Sequence, residues 1–490
     1  MLQNVATFAA DMKRMKVYRQ LITGLFIVAA MPCSAQQMLT LDSCRAMALH
    51  NNKQMQIAGV KQEVAANVRR SARTKYLPHV SAIGAYEHTS KEVSLLSDEQ
   101  KTALSNLGSA VAPGIQQLTG LDASSLAPLM NAKGQDLVDA LRTDSRNIFA
   151  GSVLLTQPIY MGGAIVAANK MADLSEQLTA NQTEQKRQQT IYDVDQAYWQ
   201  VVSLVHKKRL ADSYLLLVSQ LESDVSRMVS EGVATRSDLL SVSVKVNEAE
   251  MNVTKVSDGL VLSQMLLCQR CGLPISEQIT LEDENDREIV ATEEAAPTPN
   301  VALAMNLRPE LRMLQNTIDI SKQTTRLLRA GNLPQVLLTG GYAVSNPNTL
   351  NGFEKKFGGF WNVGIVARVP IWNWGDVRYK VRASKGATAI ASLELEEARE
   401  KIELQVSQSR FRVDEALKRL TMARSDIQHA DENLRTANLG FKEGVISTTA
   451  VMEAQTAWLQ AQSQQIDAEI DVRLSQTDLQ KALGTLDINK

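Results

Sequence analysis

Proline is absent from residues 161–273 and again from residues 371–490, which leaves both stretches open to uninterrupted helix. Aromatic residues make up only 4% of the chain, low for a compact core and normal for long helices rich in Ala, Gln and Ser. Past the N-terminal segment, no apolar run approaches the roughly 18 residues of a membrane-spanning helix, so any membrane role must be β or peripheral. The formal net charge of -1 gives no pointer to nucleic acid. His50, His79, His88, His206 and His429 show no partner pattern, and there is no nucleophile elbow or metal motif. An enzyme reading therefore has nothing to stand on, and no cofactor or metal is expected. Cysteine is scarce. Cys268-Gln269-Arg270-Cys271 is a CxxC, but it closes a helix, and a reactive thiolate is favoured at a helix N-terminus. Its repeat partners, Gln480 and Leu483, are ordinary helix residues, so the pair reads as structural.

What is present is a duplication. Leu77-Pro78 through Tyr86 aligns without gaps on Leu333-Pro334 through Tyr342, 256 positions on. A second register, of 212, pairs Pro158-Ile159 with Pro370-Ile371, Glu231-Gly232-Val233 with Glu443-Gly444-Val445, Leu262-Ser263-Gln264 with Leu474-Ser475-Gln476, and Gly272 with Gly484. Two copies of one supersecondary unit are implied. The registers differ by 44, so the first copy carries an insertion between Tyr86 and Pro158.

Residues 1–35 read as a secretory signal: Lys13, Arg14, Lys16 and Arg19, then apolar Leu21–Met31, then small residues to Ala35. Lipidation at Cys33 is the weaker alternative, and a start at Met12 or Met15 stays open. The first repeat is assigned to 36–281, an acidic linker with Pro297 and Pro299 to 282–300, and the second repeat to 301–490.

Within each copy, apolar residues follow heptads. Val242, Val246, Ala249, Val253, Val256 and Leu260 form one seam; Val413, Ala416, Leu420, Ala423, Ile427, Ala430, Leu434 and Ala437 form another. Each tract breaks once, at Ser230-Glu231-Gly232-Val233 and at Lys442-Glu443-Gly444-Val445, followed by capping residues. Helical hairpins over 164–272 and 376–484 are predicted. Shorter helices precede them: Ser43 toward Asn51, capped by Thr40 or Asp42; Lys53–Lys75; and Glu310–Arg329. Strands are predicted at Val80–Tyr86, Phe149–Gln157, Val336–Val344 and Trp361–Val369, with apolar or small residues at alternate positions. Leu77-Pro78, Pro158, Leu333-Pro334 and Pro370 are expected where strand meets helix. Twelve of the 22 aromatics gather around these strands, as an interfacial girdle would. The insertion, Glu87–Arg146, is expected to be an external loop with short helices near Ser97–Leu107 and Ala132–Leu141.

Four strands cannot close a barrel, and lipid does not tolerate an open edge. Three chains would supply twelve strands, within the known range. The fold expected is mainly α with a small β part: two tandem repeats, a long coiled-coil barrel, and a transmembrane β-barrel to which each chain contributes four strands.

Together with the opening Leu39-Thr40-Leu41-Asp42-Ser43-Cys44-Arg45-Ala46-Met47-Ala48-Leu49-His50-Asn51-Asn52, the paired Leu-Pro and Pro-Ile junctions and the paired Glu-Gly-Val turns, this pattern resembles the TolC family of trimeric outer-membrane efflux channels. The resemblance implies a homotrimer in outer-membrane lipid with a long periplasmic extension. It also implies work with a periplasmic adaptor and an inner-membrane pump, as an exit duct for small molecules or, alternatively, for polypeptides. The family's adaptor-docking turns match Gly232, Val233, Ala234 and Thr235, and Gly444, Val445, Ile446 and Ser447. Asp238 matches a gate aspartate. Ile446 stands where well-known members have a gate arginine, so the latch is expected to differ, with Arg236 as the candidate. Of two acidic-ring positions, Glu453 fits one and Ala450 leaves the other neutral. A periplasmic coiled-coil scaffold is the alternative of a different class; it would not need amphipathic strands flanked by aromatics.

Overall fold

The computed structural model describes residues 38–90, 96–120, 122, 124–142, 146–285, 301–348, 350 and 354–486. The expected signal segment, Cys33 and most of the expected linker lie outside the described residues. Contacts divide the chain into two units: residues 1–60, 182–311 and 398–490, and residues 61–181 and 312–397.

The duplication is exact in helix length. The outgoing helices, α6 (Ala164–Ser230) and α10 (Asp376–Lys442), have 67 residues each. The returning helices, α7 (Arg236–Cys271) and α11 (Thr448–Leu483), have 36 each. A 67-residue helix is about 100 Å long at about 1.5 Å per residue.

In the first unit the seams pack as their spacing demands. Val242, Ala249, Val413, Ala416, Leu420, Ala423 and Ala437 are buried. On α11 the buried Val451, Ala454, Ala461, Ala468, Val472, Ser475, Leu479 and Ala482 keep the same stepping. Two short helices support the returning helices at their C-terminal ends. Thr40, rather than Asp42, caps α1 (Leu41–Asn51): its side chain accepts from the Ser43 N–H at 3.1 Å. The end of α1 abuts Gly272, which closes α7 at φ 74°; a Cβ there would stand 2.6 Å from Asn51 Cβ, so both the angle and the space demand glycine. Asn52 Nδ2 donates to the Arg270 carbonyl at 2.9 Å. In the second copy, α8 (Val301–Leu307) abuts Gly484 in the same way, and Arg308 Nη1 donates to the Lys481 carbonyl at 3.0 Å. A two-residue strand, β1 (Met38–Leu39), pairs in parallel with β4 (Thr280–Leu281), a pairing the sequence pattern gave no hint of. Between these lies the main core, including Cys44, Ala48, Val194, Tyr198, Val201, Leu267, Cys268 and Cys271. The residues that open the expected linker, Glu282–Asn285, form a 3-10 turn in which Asp283 accepts from the Tyr198 hydroxyl at 2.5 Å.

The second unit holds a four-stranded antiparallel meander, in chain order: β2 (His79–His88), β3 (Asn147–Met161), β5 (Gln335–Asn346) and β6 (Gly358–Arg368). One expectation fails here. Pro158 does not mark the end of a strand; it lies inside β3, which runs on to Met161. The ladder skips Ile159, pairing Pro158 with Leu337 and Tyr160 with Val336. A bulge is where a strand can hold proline, because the ladder is already interrupted.

Helix α2 (Lys53–Thr74) packs on α6 through Arg69–Glu176 at 2.9 Å and Asn169 Nδ2 to the Ala72 carbonyl at 3.0 Å. Helix α9 (Pro309–Arg329) meets α10 through hydroxyl pairs, Ser321–Thr388 and Thr325–Ser384, both at 2.7 Å. Among its described residues the insertion forms three helices, not two: α3 (Asp98–Ser105), α4 (Leu107–Thr119) and α5 (Leu126–Ala140). Pro113 inside α4 hid that helix from the sequence pattern. Gly134 lets α5 close on α3; a Cβ there would lie 1.9 Å from the Leu104 carbonyl oxygen.

Candidate functional site

Two surfaces carry the expected functions: the ends of the helical hairpins and the sheet.

At the first hairpin end, α6 stops at Ser230 and Gly232 takes φ 74° with open space where a Cβ would stand, so conformation alone requires glycine. The Val233 and Ala234 N–H groups both donate back to the Met228 carbonyl, at 2.9 and 3.2 Å, and satisfy an end that would otherwise be orphaned. Val233 is left 71% exposed. Thr235 then caps α7. Its hydroxyl accepts from the Asp238 N–H at 3.2 Å, while Asp238 Oδ2 accepts from the Thr235 N–H at 3.0 Å and from its hydroxyl at 2.7 Å. This reciprocal box holds the Asp238 carboxyl below the usual carboxylate range, the Thr235 side-chain bond being the larger cause. Within the chain Asp238 is therefore held by Thr235. Arg236 is exposed and makes no ion pair among the described residues.

The second hairpin end repeats the geometry. Gly444 has φ 73° and open space, Val445 and Ile446 donate to the Gly440 carbonyl at 2.9 and 3.2 Å, and Val445 is 79% exposed. Ser447 caps α11 by accepting from the Ala450 N–H at 3.3 Å. Ala450 stands where the first copy has Asp238, so the reciprocal half of the box is missing. Ile446 packs inward, its Cδ1 2.6 Å from the place a Gly440 Cβ would occupy.

The two ends share one core: Leu221, Val225, Val242, Ala437, Phe441, Val451 and Ala454, with Ala234 and Ile446 packed against it. Beside this core lies a groove of about 870 Å³, lined by Asp224, Arg227, Val233, Phe441, Gly444 and Gln455 among others. Asp224 and Arg227 form an ion pair on its wall. Gln455 is 1% exposed, and its Oε1 has no hydrogen-bond partner among the described residues. Sequence reasoning named Val233 and Gly444 but missed Asp224, Arg227, Phe441 and Gln455. Gln455 follows the seam residue Ala454, where a polar residue reads as surface. Glu453 is exposed on α11, nine residues beyond Gly444.

By register the sheet has one apolar face and one mixed face, the mixed one also carrying Ile83, Leu154 and Phe360. Val80, Leu155, Gly340 and Val363 stand in one row; Ala82, Val153, Tyr342 and Trp361 stand in the next on the same face. Tyr86 and Phe149 continue that face, with ring centroids 4.8 Å apart. The opposite face carries Ser81, Leu154, Gly341 and Asn362 in one row and His79, Thr156, Thr339 and Gly364 in another. Val80, Trp361, Val363 and Ile365 are 66%, 76%, 69% and 71% exposed, so the apolar face has no cover among the described residues. Among the described residues, strands β2 and β6 each present an unpaired edge. Beyond β6, Trp372 and Trp374 pack edge to face at 5.7 Å, both exposed.

Residues 300–485 match the family described as outer membrane efflux protein. The outer membrane protein TolC of Vibrio cholerae is 21% identical over 343 residues, spanning 69% of this chain and 77% of that protein. The pyoverdine export outer membrane protein OpmQ of Pseudomonas putida is 21% identical over 385 residues, 77% of this chain and 78% of the relative. The solved CmeC outer membrane channel of Campylobacter jejuni superposes with a TM-score of 0.73 at 14% identity, covering 92% of this chain and 87% of that one.

Proposed function

We propose that the chain is a TolC-like outer-membrane efflux protein and that three copies assemble into one exit duct for small molecules. The carrying observation is the sheet: four strands, one apolar face without cover and two unpaired edges. Lipid covers such a face, and only closure with neighbouring copies removes such edges. Three chains give a twelve-stranded barrel with the more polar face of the sheet toward its lumen, and their long helices form an α-helical barrel. The match to an export protein named for pyoverdine favours a small-molecule cargo over a polypeptide.

The hairpin ends dock a periplasmic adaptor that links the duct to an inner-membrane pump. Val233 and Val445, apolar and exposed on rigidly capped turns, are the contacts such a partner would bury, with Gly232, Ala234, Thr235, Gly444, Ile446 and Ser447 fixing the turn geometry. Asp238 and Arg236 act at the gate, and Glu453 faces the channel as one of three acids around the axis. Purified protein added to a planar bilayer should give discrete conductance steps. A periplasmic scaffold without a pore would give none, and that result would overturn the proposal.

A further inference from the structure

Three cysteines lie in the main core of the first unit, each 0% exposed, and their thiols do not share one partner. Cys268 Sγ donates toward the Glu277 carbonyl at 3.7 Å, within its own loop. Cys271 Sγ points the other way, donating toward the Cys44 carbonyl at 3.7 Å across a separation of 227 residues. The geometry thus sorts an apparent CxxC into two cysteines that face different elements. We propose that Cys44 and Cys271 form a disulfide in the exported protein, which ties α1 to the last turn of α7 while Cys268 stays a free thiol.

This inference rests on the outer-membrane reading above, because export carries the chain through a compartment where disulfides persist. The step is an exchange. A thiolate of the pair attacks the disulfide of an exported thiol–disulfide oxidant, giving a mixed disulfide. The second thiolate displaces the oxidant's remaining thiolate. One Sγ–Sγ bond forms, both cysteines lose their protons, and the two electrons leave on the oxidant, which departs as a dithiol. Because both sulfurs are fully buried in the fold, the exchange takes place before α1 seats against α7.

The place of the bond explains what it would do. The Asn51–Asn52 end of α1 is already held at the cap of α7 by the Gly272 close approach and the Asn52 bond to Arg270. A Cys44–Cys271 bond adds a second fixed point two turns earlier on α1. A Cys268–Cys271 bond would join one turn of a single helix and constrain neither element.

The test is thiol mapping of full-length protein from fractionated cells, denatured in a membrane-permeant alkylating agent before any reductant is added. Protein in the outer-membrane fraction should carry the label on Cys268 and not on Cys44 or Cys271, and a proteolytic digest should contain one linked peptide pair that separates on reduction. The Cys268→Ser variant should keep the linked pair. Label on all three cysteines in outer-membrane protein, or a Cys268–Cys271 link, overturns the disulfide alone. Recovery in the cytoplasmic fraction overturns the localisation reading and the disulfide with it.

Discussion

At the scale of single residues, the most heavily committed polar contact is the pair Arg45–Asp195. Two guanidinium nitrogens donate to the two carboxylate oxygens at 2.7 Å each, and Asp195 is 0% exposed. Burial pushes the Asp195 carboxyl up, and the Arg45 bonds oppose it. Removing one partner strands the other charge, so Asp195→Ala should cost about 3–5 kcal/mol, read as a fall in the urea midpoint of the helical signal. Replacing both residues with apolar ones of similar volume should recover most of the loss. An unchanged midpoint in Asp195→Ala would contradict this account of the core. Asp238 makes a pH prediction. Its carboxyl titrates below the ordinary range because of Thr235, so the folded pKa is depressed. Its contribution is complete above the unfolded carboxylate pKa of about 3.9 and is lost as pH falls through the lower folded value. Amide protection at the start of α7 should therefore hold at neutral pH and drop on acidification below about pH 4. The Asp238→Asn variant should lack that drop, whereas an equal drop in both proteins would assign it elsewhere.

At the scale of elements, the turns and helix caps decide. Gly444→Ala meets open space and pays only for the left-handed backbone, about 1–2 kcal/mol. Gly162→Ala at φ 63° pays that cost and also places a Cβ 2.9 Å from the Ala330 carbonyl oxygen. Thermal unfolding should rank Gly162→Ala as clearly more damaging, and equal losses would show that the neighbouring segment yields. Legibility followed the same division. The hairpins could be read because heptad spacing persists through tens of residues, and because Glu-Gly-Val repeats at the point where each must turn. The strands could be read from alternation at Val80–Tyr86 and Val336–Tyr342, but the length of β3 could not, since Pro158 looks like an end and sits beside a bulge at Ile159. The β1–β4 pairing is too short for any periodic signal. Gln455 and the Cys44–Cys271 contact were hidden for another reason: each depends on chain segments brought together only by the fold. At the hairpin ends, the turn glycines and caps were legible, whereas the box that occupies Asp238 depends on side-chain direction that spacing does not give.

At the scale of the whole molecule, the proposed function depends on copies meeting around an axis. Glu453 is exposed on its own chain, as a pore-lining acid must be before assembly. Three such carboxylates at a narrow mouth would concentrate cations and repel anions. Glu453→Ala should lower cation selectivity in single-channel recordings, while Asp238→Ala should mainly raise basal opening. Unchanged selectivity in Glu453→Ala would move the channel-facing seam by at least one helical position. Beneath this lies the claim that the sheet of one chain is a third of a barrel, since four strands leave both β2 and β6 with open edges. The direct test is the mass of the detergent-solubilised particle by light scattering, with detergent subtracted, on protein that also conducts in bilayers. The account predicts three chains per conducting particle, each the 53.8 kDa chain less residues 1–35. A conducting particle of one chain would contradict it.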